Sequence, residues 1–200
     1  MIAMEQEQDF KPEQSLMVIQ SMIKTVQSRY YDNGTLYLLW GWVILLCSVG
    51  HYIFLLNNII DQPEKVWLLT IPASAFHFFW MARQSKKKKV TTYADEIIGY
   101  AWLSFAACMS LTYILFGTKG EWHLMYSVIL MAYGIPTFIS GAVMRFKPLL
   151  VGGFVCWILS AISHWVEPAQ TLLLVGLAVT CAWIIPGYIL RYQFNRQHNG

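Results

Sequence analysis

The sequence predicts an all-α polytopic integral membrane protein: six transmembrane helices arranged as three antiparallel hairpins, preceded by one cytoplasmic amphipathic helix. Three observations lead there. Of 200 residues 56% are hydrophobic and 12% charged, about half the charged share of an average globular domain. The charges gather in short clusters between long apolar runs that carry none. Finally, a basic run extends from Arg83 to Lys89, with Lys86, Lys87, Lys88 and Lys89 consecutive. Four adjacent ammonium groups are very costly to draw through hydrocarbon, so this loop is expected to stay in the cytoplasm. The direction of every other segment follows from it.

Residues 1–34 divide into an acidic tail (Glu5, Glu7, Asp9, Glu13) and a stretch with helical periodicity. Leu16, Ile19, Ile23, Val26 and Tyr30 recur at alternating steps of three and four, which puts them on one face of a helix. Ser15 can cap its start and Asn33-Gly34 can end it. The helix is too polar to span. It either lies on the membrane or the protein's own inner face, or offers a docking surface for another chain, since the spacing also fits a short a/d seam. The N-terminus has no basic n-region and no apolar h-region, so no cleavable signal peptide is expected.

The transmembrane domain is expected over residues 35–190. Its spans lie at about 35–56, 66–82, 97–118, 122–144, 148–166 and 169–190, followed by a cytoplasmic tail at 191–200. Runs of this kind are long enough to cross a core of about 30 Å as helices. A polar turn with Asp61 and Pro63 ends the first, and the lysine run ends the second. Asp95 and Glu96 open the third, where carboxylates favour a helix N-terminus. Lys119-Gly120-Glu121, Arg145-Phe146-Lys147 and Glu167-Pro168 make the remaining short turns.

On this threading both termini share the side of the lysine run, and so do twelve of the fourteen Lys and Arg residues, including Arg145 and Lys147; Lys65 and Lys119 fall opposite. That strongly satisfies the positive-inside rule. Aromatic residues gather near span ends, with Tyr37, Trp40, Trp42, Trp80, Tyr100, Trp183 and Tyr188 toward the inner side. Tyr52, Trp67, Tyr113, Trp122, Tyr126 and Trp165 lie toward the outer side, as rings at headgroup level would. The net charge of +3 is no argument for nucleic acid. Topology and attraction to anionic lipid account for the basic run without any other partner.

A short internal pattern recurs. Each returning span carries Ile-Pro (Ile71-Pro72, Ile135-Pro136, Ile185-Pro186), and each leaving span a glycine followed by an aromatic (Gly41-Trp42, Gly99-Tyr100, Gly153-Phe154). Three hairpins descended from one unit would give this pattern, and so would chance. Each proline frees a backbone carbonyl that a neighbour must satisfy. Such kinks could bow the helices around a central cavity or be mere shape. Small or polar residues at steps of four (Gly152, Cys156, Ser160 and His164; Ala106 and Ser110; Gly176 and Thr180) are expected at helix–helix contacts. Cys47, Cys108, Cys156 and Cys181 lie in apolar segments without a Cys-x-x-Cys pair, and read as packing residues.

No span holds Asp, Glu, Lys or Arg away from its ends, which counts against ion- or proton-coupled transport. Hydrolase, metalloprotease, P-loop and dinucleotide motifs are absent, no cofactor is evident, and a non-enzymatic protein is expected. Histidine is the remaining candidate. His51, His123 and His164 come from three different hairpins and share the outer third of the membrane; converging, they would suit zinc, copper or haem iron. Hydrogen bonding at the interface, each histidine beside an aromatic (Tyr52, Trp122, Trp165), is the simpler reading, because no local ligand spacing supports a metal.

Several phrases carry a family resemblance: Leu38-Leu-Trp-Gly-Trp42, Tyr133-Gly-Ile-Pro-Thr-Phe-Ile-Ser-Gly141, Arg145-Phe-Lys-Pro148 and Ile184-Ile-Pro-Gly-Tyr188. With them the chain resembles, over nearly its whole length, a family of uncharacterised multi-pass inner-membrane proteins of Bacteroidota. The resemblance implies a bacterial inner-membrane location and brings no activity with it. The leading expectation is a membrane component that engages a protein partner at the cytoplasmic face through its amphipathic helix and basic loops. The alternatives are a channel or carrier for a small neutral or weakly polar solute, and an outer-leaflet metal or haem site.

Overall fold

A computed structural model describes residues 34–85 and 93–198; 91% of these are helical and none is in a strand. The expected amphipathic helix around Leu16 to Tyr30 and the run Lys86 to Lys89 lie outside the described residues. In order, the chain forms α1 (Thr35–Asn57), a 3-10 helix (Pro63–Leu69), α2 (Thr70–Ser85) and α3 (Tyr93–Leu115). After a short 3-10 turn (Gly117–Lys119) come α4 (Trp122–Val143) and α5 (Lys147–Ile162), the latter prolonged by a 3-10 turn (Ser163–Trp165). The last segment joins α6 (Pro168–Val179), a π-helical turn (Thr180–Ile184) and α7 (Ile185–His198). Five helical stretches among the described residues are long and apolar enough to cross a membrane: Thr35–Asn57, Tyr93–Lys119, Trp122–Val143, Lys147–Trp165 and Pro168–Arg196. The second expected span is not one α-helix but the 3-10 helix followed by α2.

Its form follows from Pro72. The pyrrolidine ring has no N–H for the Leu68 carbonyl and would clash with it in an α-helix. The chain upstream winds tighter, and the Thr70 hydroxyl donates to the Trp67 carbonyl at 2.6 Å. The same Ile-Pro dipeptide is accommodated differently elsewhere. Around Pro136, α4 stays continuous while Thr137 donates to the Tyr133 carbonyl (2.9 Å) and the Trp157 indole to the Met131 carbonyl (3.1 Å). Before Pro186 the helix widens into the π turn, closed by the Ile185 N–H on the Thr180 carbonyl. One dipeptide thus has three local solutions.

The last segment is the axis of the bundle: 56% of its most apolar stretch is buried, against 6% for α3. It runs antiparallel to α1, meeting it at Gly34–Gly187, Gly41–Ile184 and Ser48–Gly176. A methyl group on Gly34 would strike the Gly187 carbonyl oxygen, and Gly34 also holds a left-handed φ of 67°, so only glycine suits it. Across the other side, a methyl on Gly152 of α5 would lie 2.6 Å from the Ala182 Cα. Helices α4 and α5 approach in the same way, with Gly153 against the Gly134 carbonyl and Gly141 against Leu149 and Leu150. Small residues at these points let backbones come close, so dispersion contacts act over the whole crossing. Gly152 and Gly176 therefore lie at helix contacts as expected. Ala106 and Ser110 do not: both are exposed on α3, where the Ser110 hydroxyl bonds its own helix at the Ala106 carbonyl.

One end of the bundle gathers the start of α1, the α4–α5 turn and α7, through the buried cluster Phe146, Leu149 and Leu190 packed with Tyr37 and Met144. The turn there is a Schellman closure: Phe146 N–H bonds the Gly141 carbonyl (2.8 Å) and Arg145 N–H the Ala142 carbonyl (3.2 Å). Arg145 occupies the left-handed position, φ 52°, usually given to glycine. Around the bundle, large apolar side chains such as Leu46, Ile53, Leu103, Leu111, Val151, Ile158 and Leu177 are exposed. An apolar surface this extensive suits hydrocarbon rather than water.

The packing predicts a contrast between two single-methyl changes. Gly152→Ala should destabilise by about 1–3 kcal/mol, because backbone atoms of the last segment stand where the methyl must go. Gly99→Ala, with nothing within 4 Å, should be neutral or mildly stabilising. Thermal midpoints of the purified variants in detergent, compared with the parent chain, test the pair.

Candidate functional site

Polar side chains inside the bundle fall into three groups. The first joins α1 to the second segment by two reciprocal Trp–His bonds. Trp67 of the 3-10 helix donates from Nε1 to His51 Nδ1 of α1 (3.0 Å), and Trp40 of α1 donates to His77 Nδ1 of α2 (2.9 Å). An indole N–H only donates, so both Nδ1 atoms are acceptors and the neutral rings carry their proton on Nε2. That proton of His77 faces Met81 Sδ at 2.9 Å. The Tyr126 hydroxyl of α4 approaches His51 Nδ1 at 3.3 Å, and its ring stacks on Trp67 with centroids 5.8 Å apart.

The second group links α4, α5 and α6. His123 Nδ1 lies 3.0 Å from the hydroxyl of fully buried Thr171, and Ser160 donates across to the Ser127 carbonyl at 2.8 Å. Ser163 Oγ stands 2.7 Å from Ser127 Oγ and 2.6 Å from the Ser160 carbonyl. Ser160, expected on a small-residue face, serves here as a crossing hydrogen bond.

The three histidines of the suggested metal site are thus held apart in function. His51 is engaged by Trp67 and Tyr126, His123 by Thr171, and His164 is exposed beside Trp165, ring centroids 5.3 Å apart. Among the described residues no group of three or more His, Cys, Asp or Glu side chains is placed to hold a metal ion. The geometry favours the interfacial hydrogen-bonding reading of these residues. Of the basic residues singled out, Arg83, Arg145 and Lys147 are exposed, while Lys86 to Lys89 fall outside the described residues. The four cysteines are free thiols, Cys47 and Cys156 fully buried and Cys108 exposed.

The third group, which sequence reasoning missed, lies deep in the bundle. Trp102 of α3, Tyr133 of α4 and Trp183 of the π turn form a ring cluster, with centroid separations of 5.0 Å (Tyr133–Trp183), 5.3 Å (Trp102–Trp183) and 6.1 Å (Trp102–Tyr133). Phe105 and Tyr37 pack on its edges. The Trp102 indole donates to Ser140 Oγ at 3.2 Å. The Tyr133 hydroxyl and the Trp183 indole have no partner, although both residues are more than nine-tenths buried. A signal for them existed: each stands three residues before the proline of an Ile-Pro pair, in Tyr133-Gly-Ile-Pro136 and Trp183-Ile-Ile-Pro186. Trp183 and Tyr126, expected in the aromatic belts, belong instead to the buried core.

These arrangements are uncharged, and the described contacts within them are hydrogen bonds and ring stacks, which position helices and bind neutral groups. Comparison with protein-family models, curated proteins and solved structures returns no match.

Independent histidine environments predict additive mutant effects. His51→Ala and His123→Ala combined should destabilise by the sum of the single changes to within about 0.5 kcal/mol, whereas a shared metal ion would couple them more strongly. Trp67→Phe, which removes the donor to His51 and keeps the ring, should cost about 0.5–1.5 kcal/mol. Unfolding titrations of the single and double variants in mixed micelles measure both.

Proposed function

We propose that this chain is a six-span protein of the bacterial cytoplasmic membrane, with both termini cytoplasmic. On this reading it is a non-enzymatic membrane component that engages a protein partner through its basic cytoplasmic face. The observation that carries the reading is charge asymmetry: twelve of fourteen Lys and Arg residues fall on one side of this threading. The fold supports it, because the start of α1, the Arg145 turn and the end of α7 share one end of the bundle. Exposed Arg83, Arg145, Lys147 and Arg191 would ring that end and meet an acidic partner surface. The antiparallel contacts of the second segment with α1, of α3 with α4 and of α5 with the last segment are compatible with three hairpins. The closest approach among helices, however, is between α4 and α5, which joins the expected second and third hairpins.

Two measurements test this. A reporter fused after Gly200 and a tag inserted among Lys86 to Lys89 should both be cytoplasmic; a periplasmic location of either overturns the threading. A protein that copurifies stoichiometrically with the full chain should be lost on deletion of residues 1–30 or on joint Arg145→Gln and Lys147→Gln substitution. Unchanged copurification in both variants removes the partner reading.

A further inference from the structure

Among the described residues four buried side-chain polar atoms lack a hydrogen-bond partner: Trp80 Nε1, Tyr133 Oη, Trp183 Nε1 and one amide oxygen of Gln193. Two of the four belong to rings in direct contact, Tyr133 and Trp183. Their neighbour Trp102 shows that the same surroundings can satisfy an indole, since Ser140 accepts its proton. An orphaned donor in a low-dielectric interior costs about 1–3 kcal/mol, and two adjacent ones call for an acceptor from outside the chain. The backbone is irregular at the same place. Trp183 sits in the π turn, a distortion common at functional sites, and Tyr133 lies one turn before the Pro136 interruption of α4.

We propose that the Trp102–Tyr133–Trp183 cluster is a binding site for an uncharged, lipid-soluble carbonyl compound with a flat ring. Both free groups are proton donors, which asks for an acceptor oxygen. No Asp, Glu, Lys or Arg lies between residues 97 and 118, 122 and 144, or 169 and 190 except Lys119 and Glu121 at the turn, so the interior offers no counter-charge to an ionic ligand. Aromatic walls from Trp102, Phe105 and Tyr37 favour ring stacking. Tyr133 falls midway along α4, so the ligand would arrive through the hydrocarbon rather than from water.

The test is equilibrium binding of menadione, a small naphthoquinone, to the purified full-length protein in detergent, read by ultrafiltration and by quenching of tryptophan fluorescence. Saturable binding near one per chain is expected. Tyr133→Phe and Trp183→Phe each remove a donor while keeping a ring, and each should weaken binding about tenfold. Tyr126→Phe, outside the cluster, should leave the Kd within threefold. Elution volume and helicity equal to the parent chain's establish that the variants are folded. Unsaturable partitioning into the wild-type micelle overturns the proposal without any variant. A Kd that stays within threefold in either Tyr133→Phe or Trp183→Phe overturns it as well.

Discussion

A backbone carbonyl that loses its donor in an apolar surrounding must be answered from elsewhere in the protein, and three prolines impose that demand on this chain. At Pro72 the helix tightens; at Pro136 side chains from the same and the adjoining helix step in; at Pro186 the helix widens by one residue. Each solution sets what that segment can do next. The 3-10 stretch brings Trp67 to His51, and the widened turn lodges Trp183 in the core. Interior architecture here grows out of local repair.

Close glycine contacts complete the scheme. The last segment can approach α1 and α5 together because Gly34, Gly41 and Gly176 thin one contact and Gly152 the other. Its central position in turn leaves α3 held mainly through α4, with most of its surface exposed. Peripheral and central helices have similar hydropathy, so their rank depends on where side chains vanish rather than on how apolar they are.

This distinction explains what could be read in advance. Span positions were legible, because cost of burial in hydrocarbon is a property of composition: the observed α1, α4 and last segment begin within a residue of expectation. The acidic opening of α3 by Asp95 and Glu96 was legible for the same electrostatic reason. Facing was not. Helices apolar all round carry no stripe to show which side packs inward, so Trp183 and Tyr126 read as belt residues and Ala106 and Ser110 as contact residues. The reciprocal indole–imidazole bonds were likewise invisible, since their partners are brought together only by the antiparallel register of α1 and the second segment. The histidines were noticed; their partners were not.

Arg145 carries a consequence of its own. A left-handed conformation costs a branched-from-Cβ-onward residue about 1 kcal/mol that glycine would not incur, and the Schellman closure would form at least as well with glycine. The position therefore sets backbone comfort against electrostatic marking, and the two can be pulled apart experimentally. A glycine there would make a sturdier corner that no longer tells the insertion machinery which way round the α4–α5 hairpin belongs. In this protein a little mechanical stability is given up at a bend so that the polypeptide keeps its compass.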